Sequence, residues 1–272
     1  MLSTRILTAV VLVAAVLAAL FLLPPLGWAL LSLLLIGLGA HEWARLIGLP
    51  PKQQVVYLCA TVGIGVLLLL GAPSSLWPSH IVLAVCGLAA VFWIVIVPPW
   101  LHARWRVRSP WLGAIVGVVA LVPAWLAIAQ LHAQSPARLL AAMAIVWIAD
   151  TAAYFTGRAF GRHKLAPEIS PGKTWEGVAG GVVGVMIYAI VIALVAPAWL
   201  SLPTRGAAIA WVVFAMAVAA LSVCGDLFES LQKRQAGVKD SGQLLPGHGG
   251  ILDRIDALLA AMPLLALGAL LL

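Results

Sequence analysis

The sequence predicts an all-α polytopic membrane protein of about nine transmembrane helices, with the amino terminus in the cytoplasm and the carboxyl terminus in the periplasm. Three observations predict it. The 272 residues are 64% hydrophobic and only 9% charged, against ~25% charged in an ordinary soluble domain, and the mean hydropathy is +1.11. Apolar runs approaching the ~20 residues that a bilayer span requires recur along the whole chain. Lys and Arg fall almost entirely in alternate loops between those runs, the bias that orients membrane helices.

The first run, 6–23, follows Arg5 and stops at Pro24-Pro25. Its basic start resembles a secretory signal, but no small-residue cleavage site follows and more spans come after, so it reads as a retained first helix. The second, 26–40, is short before His41 and Glu42; a helix continuing through Trp43 and Leu46 would put Glu42 near the interface, where it need not be desolvated. Runs at 54–71, 80–100, 111–131, 137–157, 177–197, 206–224 and 251–271 complete the nine, bounded by Pro, Gly or charge. With the amino terminus inside, fourteen of the 16 Lys and Arg residues lie on the cytoplasmic side, all but Arg138 and Arg205.

The net charge of +7 reads as orientation signal and anionic-lipid contact rather than as a nucleic-acid surface, because the cations sit in short loops between spans. Cys59, Cys86 and Cys224 lie in or beside apolar runs without metal or disulfide spacing, and read as small buried apolar residues. The 12 Trp residues mostly fall near span ends, as interfacial anchors do.

The acids are unevenly spread. Of nine, only Glu42 precedes position 150. The chain therefore divides into a hydrophobic scaffold, residues 1–136, and a catalytic transmembrane region, residues 137–272, whose polar cytoplasmic loops are 157–177 and 225–253. In the first loop Ser170-Pro171-Gly172-Lys173-Thr174 can set backbone N–H groups and an ammonium against phosphate oxygens. It lacks Walker spacing, and it reads equally as a helix entry capped by Ser170 or Thr174, with Pro171 or Glu176 in the first turn. Asp150 and Tyr154 share one face of the sixth span; a mid-bilayer aspartate costs ~2.5–3.5 kcal/mol on insertion scales, so Asp150 needs a basic partner or a role in chemistry.

In the second loop Asp226 stands at the end of the eighth span, and Asp253 and Asp256, three apart, share one face at the start of the ninth. Such a cluster of carboxylates, without Cys or His partners, suits a hard cation such as Mg²⁺. Lys233, Arg234, Lys239, His248 and Arg254 lie around it, and Gly247, Gly249 and Gly250 permit close backbone approach. Acid, base and glycine at one membrane face point to metal-assisted phosphate chemistry. The plainer reading is a solvated loop with a helical Glu229–Lys233 pair and aspartates favoured by the ninth helix's dipole, and it suits Glu229, Asp240 and His248 better than the three aspartates.

The run SLQKRQAGVKDSGQLLPGHGGILDRID over 230–256 resembles the signature of the phosphatidate cytidylyltransferase, or CDP-diacylglycerol synthase, family. WIADTAAYFTGRAFGRHKLAPEISPGKTWEG over 147–177 is similar to that family's second well-marked region. One departure is Gln232, where an apolar residue is expected; a surface-facing helix position would absorb it. The resemblance implies transfer of CMP from CTP to phosphatidate, giving CDP-diacylglycerol and pyrophosphate, at the cytoplasmic face of a bacterial inner membrane by a homodimer. It implies Mg²⁺ on Asp226 and Asp253, with Asp256 as a further ligand, Asp150 as a supporting carboxylate, and a second metal or a monovalent cation as an open alternative. Lys173, Asp226, Asp253 and Arg254 would carry the catalysis. Ser170, Lys173, Thr174, Lys233, Arg234, Lys239 and His248 would bind the nucleotide and lipid phosphates.

Two other classes compete. A CTP-dependent polyprenol or phytol kinase would share the multi-span body but transfer the γ-phosphoryl group. A cation- or proton-coupled transporter would place its acids near mid-bilayer, whereas only Glu42 and Asp150 invite that reading here.

Overall fold

A computed structural model of the chain describes residues 2–72, 77–195, 204–244 and 249–271. The nine expected spans form nine helices: α1 (Leu2–Leu22), α2 (Pro25–Leu46), α3 (Pro51–Leu70), α4 (Ser79–Ala103), α5 (Pro110–Gln134), α6 (Pro136–Phe160), α7 (Trp175–Val195), α8 (Arg205–Gln235) and α9 (Leu252–Leu271). Eight of them, α2 to α9, are long and apolar enough to cross a membrane. Helices α2, α3, α5 and α6 each open on a proline, whose fixed φ suits the first helical position and whose missing N–H would have no partner there.

The helix entries and exits sort into two ends. At one, His132 Nε2 near the end of α5 lies 2.8 Å from the Leu20 carbonyl in α1, and the His132 ring stacks on Trp28 at the start of α2. At the other meet the last turns of α2, α4, α6 and α8 and the first turns of α5, α7 and α9. Trp43 Nε1 of α2 donates to the Gly113 carbonyl of α5 at 2.9 Å, and Arg106, just beyond α4, reaches the Gln235 carbonyl that ends α8. This alternation is what successive traverses of a membrane produce.

Helix α4 carries a π-helical turn over Phe92–Ile96, in which Val97 N–H donates to Phe92 five residues back. Pro98 and Pro99 follow and have no N–H to donate, so the ordinary ladder fails here and widens. The wider turn sets Phe92 and Trp93 edge-on to Phe228 of α8, at ring-centroid distances of 5.7 and 5.6 Å, with Trp100 at 5.4 Å. The aromatic cluster fixes the part of α8 that carries the charged residues.

Among the described residues six tryptophans are core residues rather than interfacial anchors: Trp28, Trp43, Trp77, Trp93, Trp100 and Trp125 are buried. Each of Trp43, Trp77, Trp100 and Trp125 spends its indole N–H on a main-chain carbonyl of the protein, which removes the reason to sit at the headgroups. Cys86 is buried as expected, but Cys59 is exposed on the outer face of α3.

Two segments that read as loops are ordered otherwise. Helix α8 runs on through 225–235, because its charged residues find partners within and beside the helix and so need not leave it. Residues Lys164–Ala166 (β1) and Ser170–Thr174 (β2) pair as an antiparallel hairpin between α6 and α7, the single addition to an all-α bundle among the described residues. Of the two candidate caps, Thr174 fills the role: its Oγ1 accepts from Gly177 N–H at 3.1 Å. Ser170 instead lies in β2.

Helices α6 and α7 pack closely through small residues. A Cβ at Gly181 would lie 2.8 Å from the Ala149 carbonyl oxygen and 3.3 Å from Ala153 Cβ, so the backbones approach as only glycine allows. Gly181→Ala is expected to lower the unfolding free energy in detergent by about 1–3 kcal/mol, the usual cost of overpacking. Gly63→Ala, where a Cβ meets nothing within 4 Å, is the control; thermal unfolding monitored by circular dichroism reads both.

Candidate active site

The end of the bundle at which α6, α7, α8 and α9 meet gathers most of the acids of the second half of the chain. Gly225 makes this possible: a Cβ there would lie 2.6 Å from the Asp256 carbonyl oxygen and 3.0 Å from Ala260 Cβ, so α8 can press directly on the first turns of α9. On the facing surfaces stand Asp226 and Glu229 of α8 and Asp253 and Asp256 of α9. Asp253 and Asp256 share the face turned to α8, as their spacing predicts.

Two lysines are threaded into the cluster. Lys173 of β2 forms an ion pair with Asp226, Nζ to Oδ2, at 2.5 Å, and the other Asp226 oxygen accepts from Ser230 Oγ at 3.2 Å. Lys233, 8% exposed, is held between Glu229, one turn back on its own helix, and Asp253 Oδ1 at 2.6 Å. The Glu229–Lys233 pair expected on a solvated loop is therefore real but buried. Asp256 lies within electrostatic reach of Asp226, Glu229 and Lys233. Asp150 of α6 lies within reach of Lys173 and Asp226, so the mid-span aspartate does have its basic neighbour.

Asp253 is the most heavily engaged of these groups. Its Oδ2 accepts from Gly250 N–H at 2.8 Å, from Ser241 N–H at 2.9 Å and from Ser241 Oγ at 3.0 Å. The Gly250 bond ties the chain just before α9 to its first turn, where an acid is also favoured by the helix dipole. Gly249 just before it has φ +86°, and a Cβ there would also lie 2.7 Å from Asp253 Oδ2; glycine is required on both counts.

Five carboxylates, Asp150, Asp226, Glu229, Asp253 and Asp256, thus gather around two ammonium groups. All the donors are hard oxygens, the ligand chemistry of Mg²⁺. The donor set fits the ion. Among the described residues no three acids close on one point, because Asp226 and Asp253 each hold a lysine; a cation here competes with Lys173 and Lys233 for those oxygens.

The remaining candidates take other places. Arg234 bonds backbone, donating from Nε to the Ile169 carbonyl at 3.3 Å and from Nη1 to the Val238 carbonyl at 3.2 Å. It ties the hairpin to the end of α8. The hairpin is tied a second time by the Arg104–Glu168 ion pair. Lys239 lines a cleft of about 400 Å³ together with Arg45, Asp240 and Ser241. Arg254 is exposed on the first turn of α9, and Asp240 is exposed as the plainer reading had it. His248 lies outside the described residues.

Two sequence expectations are corrected. Gln232 does not face the surface: it is 5% exposed, because the turn that aims Phe228 and Glu229 inward carries it inward as well. Glu42 is not at a solvated interface either. It is 1% exposed and accepts from Ile251 N–H at 3.0 Å, Leu252 N–H at 2.9 Å and Ser241 Oγ at 3.0 Å. Sequence reasoning did not place Glu42 or Ser241 in the site. The signal available was Glu42's isolation as the one acid of the first 149 residues.

Comparison with known proteins gives the family. The model of the cytidylyltransferase family matches residues 3–271. A phosphatidate cytidylyltransferase of Pseudomonas aeruginosa is 41% identical over 276 residues, covering 98% of this chain and 96% of that protein. One of Haemophilus influenzae is 36% identical over 284 residues, covering 97% and 96%, and one of Thermotoga maritima is 47% identical over 127 residues, 47% of each. With a family match along nearly its whole length and relatives that align end to end, the chain belongs to the cytidylyltransferase family.

Proposed function

We propose that the protein is a phosphatidate cytidylyltransferase: it transfers CMP from CTP to phosphatidate, forming CDP-diacylglycerol and pyrophosphate for phospholipid synthesis. The observation that carries this reading is the convergence of five carboxylates and two lysines at one end of an apolar helix bundle. That end would face the cytoplasm of a bacterial inner membrane, where CTP enters from water while the acyl chains of phosphatidate stay in lipid. The positive-inside distribution of Lys and Arg supports the orientation. Assembly as a homodimer belongs to the same proposal.

The reaction needs little proton chemistry. A phosphate oxygen of phosphatidate, already anionic, attacks the α-phosphorus of CTP; a new P–O bond forms as the bond to the β-phosphate oxygen breaks, and pyrophosphate leaves with that electron pair. What the protein must supply is alignment and charge neutralisation. Asp226, Asp253 and Asp256 would hold Mg²⁺, with Asp150 in support, and the bound ion would offset phosphate charge and that of the leaving group. Lys173 and Lys233, poised on the carboxylates, provide ammonium groups for the phosphate oxygens. Ser170 and Thr174 belong to the strand that presents Lys173, and Thr174 fixes that strand to the first turn of α7. Arg254 and Lys239 add positive charge on the exposed side, toward the nucleotide.

Purified protein, phosphatidate in detergent micelles, Mg²⁺ and CTP labelled separately at the α and γ phosphates test the proposal. The α label is expected in lipid and the γ label in pyrophosphate. A γ label in lipid would instead identify a kinase, and no label in lipid, with a control enzyme active, would sink the assignment. Asp226→Asn and Lys173→Met are each expected to lower kcat by about 100-fold or more while the protein remains monodisperse on size exclusion. Wild-type turnover in Asp226→Asn would remove Asp226 from the site.

A further inference from the structure

Glu42 stands far from the acids in sequence and next to them in space. It projects from the last turns of α2 into the junction between residue 241 and the start of α9, where three donors converge on its two oxygens. The neighbouring backbone is shaped around it. A Cβ at Gly250 would lie 2.5 Å from Oε2 and 2.6 Å from Oε1, and one at Gly242 would press on the same carboxylate. A lone buried acid with this many fitted donors, in a helix otherwise free of acids, is costly to keep for packing alone.

Its partners lead to Asp253. Ile251 immediately precedes α9 and Leu252 opens it, so Glu42 satisfies N–H groups at the helix start that have no acceptor within the helix. Ser241 is shared: its N–H donates to Asp253 Oδ2, and its Oγ lies 3.0 Å from both Glu42 Oε2 and Asp253 Oδ2. A hydroxyl has one proton. When Glu42 takes it, Asp253 Oδ2 is left to its two backbone donors, Gly250 and Ser241 N–H; when Glu42 is absent, the hydroxyl's remaining acceptor is Asp253, which adds a third donor to that oxygen.

We propose that Glu42 is a positioning residue for the reaction: through Ser241 and the start of α9 it sets where Asp253 presents its carboxylate to the metal. The inference rests on the reading that Asp253 holds the ion. It links the amino-terminal helices to the chemistry of the carboxyl-terminal ones.

Glu42→Gln is close in size but offers one oxygen acceptor and turns an NH₂ group toward donors; Ser241→Ala removes the hydroxyl alone. Binding of Mn²⁺ to purified, folded protein, read from the electron paramagnetic resonance signal of the free ion, is expected to weaken about 10-fold or more in both, the usual effect of losing a group that orients a metal ligand. The Mg²⁺ concentration at half-maximal turnover should rise in parallel, with kcat largely recovered at saturating Mg²⁺. A purely structural Glu42 would lower thermal stability and yield while leaving the Mn²⁺ affinity of the folded fraction at the wild-type value, and that result overturns the proposal. Should Glu42→Gln not fold, Ser241→Ala decides by the same criterion. Asp253→Asn separates the two levels: weakened Mn²⁺ binding there with wild-type binding in the other variants defeats only the role of Glu42, whereas wild-type binding in Asp253→Asn defeats the metal assignment and this inference together.

Discussion

Like charges brought together at the end of an apolar bundle repel, and burial strengthens the repulsion because little water remains to screen it. That constraint organises this molecule. Asp226, Glu229, Asp253 and Asp256 can face one another only because Lys173 and Lys233 lie among them and because the backbone N–H groups of Ser241 and Gly250 point at Asp253. The lysines are placed by different means. Lys233 arrives on the helix that carries two of the acids, while Lys173 is delivered by a hairpin whose position depends on Arg104, Arg234 and the Thr174 cap.

The same constraint explains where glycine is used. Gly225 lets α8 meet α9, and Gly249 and Gly250 let the chain before α9 fold tightly over Asp253 and Glu42. A side chain at any of these positions would separate the acids from the donors that make them tolerable. The aromatic cluster around Phe228 supplies the rigidity behind the charges, and it depends in turn on the π-helical turn that Pro98 and Pro99 impose on α4. Scaffold and site are therefore not separate parts. Helices α2 and α4, far from the signature residues in sequence, hold the surfaces from which the charged groups project.

Much of the fold was legible in the sequence. All nine apolar runs are helices, with ends moved by a few residues or, in α2 and α8, extended beyond the apolar stretch. Those two extensions share a cause. Hydropathy marks where a helix can sit in lipid, whereas Glu42, Asp226, Glu229 and Lys233 remain helical because their charges are met, Glu229's by Lys233 on its own helix and the others' by partners from other elements. The hairpin escaped notice for a similar reason: three- and five-residue strands leave hardly any periodicity to detect. The tryptophans show the limit of composition. Proximity to a span end suggests an interfacial ring, but a carbonyl within reach of the indole N–H accompanies Trp43, Trp77, Trp100 and Trp125 into the core.

By itself the sequence determined the membrane architecture, the family, and the acids and lysines from which the site is built, because span length, charge asymmetry and the runs at 147–177 and 230–256 are local properties of the chain. Which carboxylate pairs with which lysine, that Gln232 is buried, and that Glu42 reaches Ser241 and the first turn of α9 were decided only by the tertiary structure. Those facts depend on how helices more than two hundred residues apart approach one another. A carboxylate's environment is set by whatever stands within a few ångströms of it, and for Glu42 nothing within its own helix indicates what that will be.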